Sequence, residues 1–319
     1  MGQMIPDLPL PAPAGLRMNG LPKKPQPPPQ DASAAAFTDA VIAATGPNAN
    51  PRLAAIMPSL VRHLHAFARE VNLTVAEWSA AVDFLNECGK MSTDRRNETQ
   101  LLCDILGLES LVDSITSTLL STSTSETPSA ILGPFYRHSA PLLPNGSSII
   151  QNLSPSIPWH DQALADSAHV SGRVLSSSGK PIPGAVVDVW HAAPNGMYEQ
   201  QDADQPEMNF RGRFETDQEG RYALYALRPV AYPIPEDGPA GRLLGLLDRH
   251  PYRPGHIHFI VSAPGWRALT TQLYDARDEY IGRDAVFAVK EELVVRFEPR
   301  EGDEKARWEL VYDFVLGRV

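Results

Sequence analysis

The stretch RPGHIHFIVSAPG, residues 253–265, places two histidines one residue apart in an apolar run that ends at Pro-Gly. Side chains alternate between the two faces of a β-strand, so His256 and His258 point to one side while Ile257 and Phe259 point to the other. Two imidazoles on one face can converge on a metal ion, and neutral imidazole is the commonest protein metal ligand. The alternative is a pair of partly exposed polar side chains, and HxH alone does not decide between them.

A second HxH in the same chain serves as a comparison. His63 and His65 stand in RHLHAF, within a segment of helical periodicity. On a helix, residues two apart point in different directions, so this pair is not expected to chelate an ion. The secondary structure around the motif, rather than its spacing, decides its chemistry.

A metal at His256 and His258 would need further ligands, and no carboxylate or thiol stands close to them in the sequence. The next carboxylate is Asp275, and Cys88 and Cys103 lie far away in helix-like sequence. Two tyrosines, Tyr198 and Tyr232, stand in turn-rich segments, and either alone could be an ordinary loop aromatic. A phenol titrates near 10 in water but is deprotonated by a strongly polarising cation. Two imidazoles and two phenolates would form a hard, anionic site suited to trivalent iron.

The composition excludes some classes of partner. The chain has 319 residues and a formal charge of −10, with no stripe of Lys and Arg. Binding to nucleic acid or to an anionic membrane surface is therefore not expected, whereas a small-molecule substrate fits. No run has the length of a membrane span or the pattern of a secretory signal, and the two cysteines resemble reduced thiols. These features predict a cytoplasmic protein.

The elements that must position these residues fall into three segments. Residues 1–33 are rich in proline and predict a disordered tail. Residues 34–130 show apolar spacings of three and four, with a capping box at Thr74 and Glu77 and with Pro58 expected to kink or restart a helix. Residues 131–319 change to short alternating runs separated by turn residues. The predicted fold class is α+β, an N-terminal helical region followed by an antiparallel β-sandwich. The candidate strands are HVSGRVL, GAVVDVWHA, RGRFET, RYALYAL, HIHFIVSA, LTTQLYD, KEELVVRF and RWELVYDFVL.

Six stretches between about residues 94 and 295 resemble the intradiol ring-cleavage dioxygenases, which open catechols between the two hydroxyl-bearing carbons. They are LGPFYR, GKPIPGAVVDVWHAAPNGMYE, MNFRGRFETDQEGRY, RPVAYPIPEDGP, RPGHIHFIVSAPGWRALTTQ and DAVFAVKEEL, in family order. The resemblance implies one non-haem Fe(III) per subunit, with O2 as co-substrate. It also implies the metal ligands Tyr198, Tyr232, His256 and His258, with Tyr232 as the axial phenolate that substrate displaces, and the active-site residues Arg253 and Gln272.

Finer features resemble the hydroxyquinol branch of that family. Asp104, in the helical stretch LLCD, stands where catechol-type members have an apolar residue, and Leu101 three residues earlier can face the same pocket. The alternative for Asp104 is an exposed helix carboxylate. A buried carboxylate needs a partner, which a third substrate hydroxyl would provide. The same resemblance implies that the ring is walled by Leu101, Asp104, Ile131, Leu132, Gly133, Pro134, Phe135, Ile234, Pro235 and Val286.

The expected activity is therefore cleavage of hydroxyquinol with O2 to give maleylacetate. Two alternatives remain at this stage. One is a catechol or chlorocatechol 1,2-dioxygenase that yields a cis,cis-muconate, and the other is a non-catalytic β-sandwich binding module. The helical region resembles the dimerisation element of the family, which implies a homodimer formed through the N-terminal helices.

Overall fold

A computed structural model describes residues 32–121 and 123–319. The predicted tail, residues 1–33, lies outside the described residues except for its last two positions, which begin the first helix. The helices are α1 (Ala32–Ala43), α2 (Pro51–Glu70), α3 (Val75–Met91), α4 (Glu98–Ile105), α5 (Leu108–Leu120), α6 (His160–Ala165) and α7 (Pro239–Leu246).

The described residues divide into two compact units, those up to Val82 and those from Asp83 to Val319. Helices α1 and α2 lie in the first unit. Helices α4 and α5, which the sequence places in the helical segment 34–130, belong to the same unit as the sheets. This membership matters for function because α4 carries Leu101 and Asp104.

Side-chain caps and local sequence explain the helix starts. Asn50 caps α2 by accepting from the backbone N–H groups of Arg52 and Leu53, and the helix then runs through Pro58 without a restart. At the start of α3 the Thr74 hydroxyl accepts from the Glu77 N–H, while the Glu77 carboxylate accepts from the Thr74 N–H at 2.9 Å. This capping box is the one that the sequence predicts. No helix in the described part of the chain is long and apolar enough to cross a membrane.

Two sheets form the second unit, together with a small two-stranded ladder. One sheet has the order β1-β5-β2-β12-β11, with β13 also paired to β2, and the other has the order β10-β9-β8-β3-β4. The strands are β1 (Ser147–Ser148), β2 (Ser167–Ser176), β3 (Val186–Trp190), β4 (Arg211–Glu215), β5 (Arg221–Leu227), β6 (Tyr232–Pro233), β7 (Tyr252–Arg253), β8 (His256–Ser262), β9 (Leu269–Asp275), β10 (Val294–Val295), β11 (Glu298–Pro299), β12 (Trp308–Val311) and β13 (Phe314–Leu316).

The sheets confirm the predicted fold class and add parallel pairs to it. The pairs β2/β5, β3/β4, β3/β8 and β8/β9 are antiparallel, as expected. Strands β12 and β13 both run parallel to β2, β1 runs parallel to β5, and β10 runs parallel to β9. The sheets are therefore mixed.

The core that fills the space between the sheets fixes the orientation of β8. Ile257, Phe259 and Val261 are fully buried in this core, packed with residues such as Val187 and Phe314. The alternate residues of β8 consequently face the other side of the sheet, as the period of two predicts. On that face a Cβ at Gly133 would come within 3.2 Å of His258, and Trp190 stacks on the same ring.

Two of the predicted strands are interrupted. In KEELVVRF, residues 291–293 form a 3-10 turn and only Val294–Val295 pair as a strand. RWELVYDFVL is split at residues 312–313, because the Asp313 carboxylate accepts from the Arg173 N–H at 2.8 Å and so takes the place of a ladder bond. The alternation of apolar and polar residues does not predict where a side chain replaces the backbone as a hydrogen-bond acceptor.

Candidate active site

Strands β8 and β9 position the two histidines and the glutamine. The Nε2 atoms of His256 and His258 lie 3.1 Å apart. His256 Nδ1 lies 2.7 Å from the carbonyl oxygen of Pro254, an arrangement in which Nδ1 donates and Nε2 stays free to bind a metal. Gln272 stands directly opposite His258 in the β8/β9 register, and its Nε2 atom lies 3.2 Å from His258 Nδ1.

The two tyrosines reach the histidines from separate segments. Tyr232 begins β6 and is paired with Arg253 of β7, three residues before His256. Tyr198 follows a tight turn that includes Gly196 in the left-handed region, at φ 79°. A Cβ at Gly196 would come within 3.2 Å of the Tyr232 side chain, so this turn requires glycine both for its backbone and for the close approach.

The phenol oxygens and the imidazole nitrogens form a closed ring of four donor atoms. Tyr198 Oη lies 3.1 Å from His258 Nε2 and 3.2 Å from Tyr232 Oη, which in turn lies 3.5 Å from His256 Nε2. Ligands that surround a metal at about 2.0–2.1 Å are separated from each other by roughly 2.9–3.4 Å. The four donor atoms thus already have the spacing that one metal ion requires.

Burial sets the protonation of this cluster. Burial lowers the pKa of His256 and of His258 well below the ordinary value, so both imidazoles are neutral and able to bind a cation. Burial and the adjacent Tyr232 raise the pKa of Tyr198 well above its ordinary value. The protein alone therefore favours the phenol, and only a strongly charged cation would stabilise the phenolate.

The chemistry of the donor set narrows the metal. Among residues 32–121 and 123–319, no group of three or more His, Cys, Asp and Glu side chains could hold a metal ion. The candidate site instead combines neutral nitrogen with ionisable phenol oxygen. Such a mixed set fits a hard, highly charged ion, in agreement with the Fe(III) that the sequence predicts.

Arg253 connects the donor cluster to a buried carboxylate. Its Nη1 atom lies 3.1 Å from His256 Nε2 and 3.5 Å from Tyr232 Oη, while Nη2 donates to Gln272 Oε1 at 2.9 Å. On its other edge the guanidinium forms two bonds with Asp284, Nε to Oδ1 at 3.1 Å and Nη2 to Oδ2 at 3.2 Å. Burial alone would lower the pKa of Arg253, but Asp284 raises it well above the ordinary value, so this cation is permanent.

Asp104 is buried rather than exposed, which resolves the two alternatives left by the sequence. Asp104 is only 1% exposed, and neither of its carboxyl oxygens has a hydrogen-bond partner among the described residues. Burial, followed by Glu109 as a hydrogen-bonding and like-charged neighbour, raises the pKa of Asp104 to about 10, although no bond of standard geometry joins the two carboxyls. An unpaired buried carboxyl is costly, so this position calls for a polar ligand group.

The other predicted wall residues lie in two adjoining clusters. Leu101, Ile131, Ile234 and Val286 pack together in one buried cluster. Phe135 packs with Tyr198 and Tyr232 in another, against which Leu132 is placed. Gly133, at φ 78°, is so near His258 that a Cβ would come within 3.2 Å of its ring. Pro134 and Pro235 are half-buried beside these wall residues.

Three residues near the cluster were not singled out by sequence reasoning. Trp190 stacks on His258, with ring centroids 4.6 Å apart and planes 9° from parallel. Glu109 accepts from the Leu132 N–H at 3.1 Å, and Asp284 binds Arg253. Trp190 could have been found from strand alternation, because it lies opposite His258 in the β3/β8 register. The other two contacts depend on tertiary folding and leave no local signal.

The chain is similar to known dioxygenases in sequence and in structure. The family model described as "Dioxygenase" matches residues 134–318, and "Catechol dioxygenase N terminus" matches residues 50–122. A catechol 1,2-dioxygenase of Candida albicans is 47% identical over 287 residues, covering 88% of this chain and 91% of its own. A hydroxyquinol 1,2-dioxygenase of a Rhizobium species is 40% identical over 279 residues, which cover 84% of this chain and 90% of the relative. The solved structure of the hydroxyquinol 1,2-dioxygenase of Pseudomonas putida DLL-E4 superposes with a TM-score of 0.77 at 39% identity. The match covers 90% of this chain and 99% of the other.

The chain therefore belongs to the intradiol ring-cleavage dioxygenases. It is an oxidoreductase of the hydroxyquinol or catechol 1,2-dioxygenase type, acting on an aromatic diol with O2. Members of this family use non-haem Fe(III).

Proposed function

We propose that this enzyme is an Fe(III)-dependent hydroxyquinol 1,2-dioxygenase that converts benzene-1,2,4-triol to maleylacetate. The observation that carries the choice of substrate is Asp104, a buried carboxyl without a partner among the described residues. A third hydroxyl on the ring would supply that partner, which catechol lacks. The wall residue Leu101 lies on the same face of α4, three positions earlier.

Tyr198, Tyr232, His256 and His258 would hold one Fe(III) per subunit, and their mutual distances support this assignment. When bound, the ion supplies Lewis-acid activation of the aromatic diol toward O2. The Tyr198 phenolate and a dianionic substrate together would offset the three charges of Fe(III), so that such a substrate could enter a buried cavity without leaving net charge once Tyr232 is protonated.

The remaining residues handle protons and charge. Tyr232, adjacent to Arg253 in the β6/β7 ladder, would leave the ligand set when substrate binds and accept a substrate proton at Oη. Arg253, a permanent buried cation within 3.1 Å of His256 Nε2, would stabilise negative charge that develops on the ring. Gln272 would contribute to that orientation by accepting from Nη2. These roles follow from atoms that already lie within hydrogen-bonding reach of the cluster.

Substitution of Asp104 by Ala should lower kcat/KM for hydroxyquinol by roughly 10-fold, since it would leave the third substrate hydroxyl buried without a partner, at a cost of about 1–3 kcal/mol. The same variant should change kcat/KM for catechol much less. The measurement is a pair of steady-state rate series on the two substrates. Asp94→Ala, at an exposed position, serves as the control and should change neither. Equal losses on both substrates would give Asp104 a structural role only.

The second candidate is a catechol 1,2-dioxygenase that yields cis,cis-muconate. The 47% identity with the Candida albicans catechol 1,2-dioxygenase favours it. The ratio of the wild-type kcat/KM values on hydroxyquinol and on catechol distinguishes the two candidates. Product spectra identify maleylacetate or muconate. A ratio in favour of catechol would select this second candidate.

We further propose that two copies associate through their N-terminal helices. Along α2 an apolar stripe is left exposed, and exposed apolar surface of this kind is typical of an interface. Sedimentation equilibrium should give about twice the 34.9 kDa chain mass, and a monomer at micromolar concentration would contradict the assignment. The stripe consists of Leu53, Ile56, Leu60, Leu64 and Phe67.

A further inference from the structure

We propose that Asp284 is a positioning residue for ring cleavage, which holds Arg253 against the donor cluster and fixes the backbone that carries the wall residue Val286. The proposal rests on the proposed function, because Arg253 and Val286 are assigned roles there. Asp284 itself touches neither the four donor atoms nor any residue that we assign to the metal.

The contacts of Asp284 join two parts of the active site. Each carboxylate oxygen accepts one bond from Arg253, and the two side chains are only 4% and 2% exposed. The same oxygens also accept from the backbone, Oδ1 from the Val286 N–H at 3.2 Å and Oδ2 from the Ala288 N–H at 3.1 Å. One carboxylate therefore sets the orientation of the guanidinium and the path of residues 284–288 together.

The loop that Asp284 holds needs such an anchor. Phe287, between the two bonded N–H groups, adopts φ 58°, a left-handed conformation that a bulky residue rarely takes. Backbone of this kind persists where surrounding contacts over-determine it, and it often occurs at functional sites. The two bonds that the Asp284 carboxylate accepts from the Val286 and Ala288 N–H groups are such contacts. They help to place Val286 in the buried wall cluster.

No other carboxylate among the described residues forms an ion pair with Arg253. Apart from Tyr232 and His256 of the donor cluster, the guanidinium has neutral partners, Gln272 Oε1 at 2.9 Å and Tyr274 Oη at 3.5 Å. A bidentate carboxylate fixes both the plane and the rotation of a guanidinium, which single neutral acceptors do not. Without Asp284 the Nη1 edge of Arg253 would lose its fixed direction toward Tyr232 and His256.

Asp284→Asn keeps the shape of the side chain and removes its charge. We expect kcat on hydroxyquinol to fall roughly 10- to 100-fold, because misplacement of a catalytic group by about 1 Å has effects of this size. Iron content and the visible absorption band should stay at the wild-type level, since the four donor atoms are untouched. A merely structural role would instead lower the iron content and kcat in parallel.

The control is Asp275→Asn. Asp275, at the end of β9, is likewise buried and forms an ion pair with an arginine, Arg228. It does not contact Arg253 and should leave kcat close to wild type. If Asp284→Asn does not fold, Asp284→Glu keeps the charge but displaces the carboxylate by one methylene. That variant should also lower kcat at unchanged iron content, and wild-type kcat in it would overturn the proposal.

A double-mutant cycle tests whether Asp284 acts through Arg253. The Asp284→Asn change is made in the wild-type and in the Arg253→Leu backgrounds, and kcat/KM is measured for all four proteins. We expect a large loss in the first background and a much smaller one in the second, where only the contribution of the bonds to the Val286 and Ala288 N–H groups remains. Equal losses in both backgrounds, or no loss in the first, would overturn the proposal. Full activity of Arg253→Leu alone would instead reject the role of Arg253 on which this proposal rests, whereas a wild-type enzyme that does not cleave hydroxyquinol would overturn the proposed function.

Discussion

Tyr198→Phe is expected to weaken iron binding by at least about 100-fold and to remove ring-cleavage activity. Removal of groups that merely support metal ligands already weakens affinity by about 10- to 100-fold, and a direct ligand should matter more. The substitution deletes one oxygen from the ring of four donors while leaving the aromatic packing with Phe135 in place. Metal analysis of the purified variant, together with its absorption spectrum, provides the measurement.

The matched control for this variant is Tyr222→Phe. Tyr222 is also buried, and its hydroxyl donates to the carbonyl oxygen of Tyr312 at 2.8 Å in the core between the sheets. Loss of that bond should lower the free energy of unfolding by about 1 kcal/mol without changing the iron content. A Tyr198→Phe protein that keeps the full iron content would show that this phenol is not a ligand.

Arg253→Leu should retain iron but lose roughly 10²- to 10³-fold in kcat. The reason is electrostatic, because removal of a fixed donor that stabilises developing charge has effects of this magnitude. KM should change far less, since the four donor atoms that hold the metal and orient the substrate remain. Stopped-flow or steady-state rates on hydroxyquinol, normalised to the iron content, give the result.

Arg228→Leu is the control for the arginine. Arg228 also pairs with a buried aspartate, Asp275, and its guanidinium lies over the Trp308 ring, away from the donor cluster. Its loss should affect stability and leave kcat per iron unchanged. Wild-type kcat per iron in Arg253→Leu would reject the role of Arg253.

The histidine pair is the part of the site that sequence physics predicts best. Alternation along a strand requires His256 and His258 to share a face, and the burial of Ile257 and Phe259 in the core fixes which face that is. The same reasoning separates this pair from His63 and His65, whose Nδ1 atoms bond to different groups, the Ser59 carbonyl and the Thr38 hydroxyl.

The tyrosines could not be placed from local sequence. Tyr198 and Tyr232 are 34 residues apart, and the contact between their hydroxyls depends on the turn at Gly196 and on the short β6/β7 ladder. Only the resemblance to a known family brought them together before the fold was available. The pairing of Arg253 with Asp284, 31 residues away, illustrates the same limit, because no periodicity links a short strand to a loop.

Asp104 lies between these cases. Helical spacing predicts that it shares a face with Leu101, yet spacing cannot say whether that face is buried. Leu101 packs with Ala240 and Leu244 of α7 in one buried cluster, and Asp104 is 1% exposed. The degree of burial, and with it the raised pKa, is a tertiary property.

The iron content and visible spectrum of the purified, iron-reconstituted enzyme test the metal assignment most directly. Two phenolates bound to Fe(III) should produce a red-brown protein with about one iron per chain and a charge-transfer band that changes when hydroxyquinol displaces Tyr232. A chain that stays colourless and iron-free after reconstitution would contradict the assignment of these four residues to Fe(III).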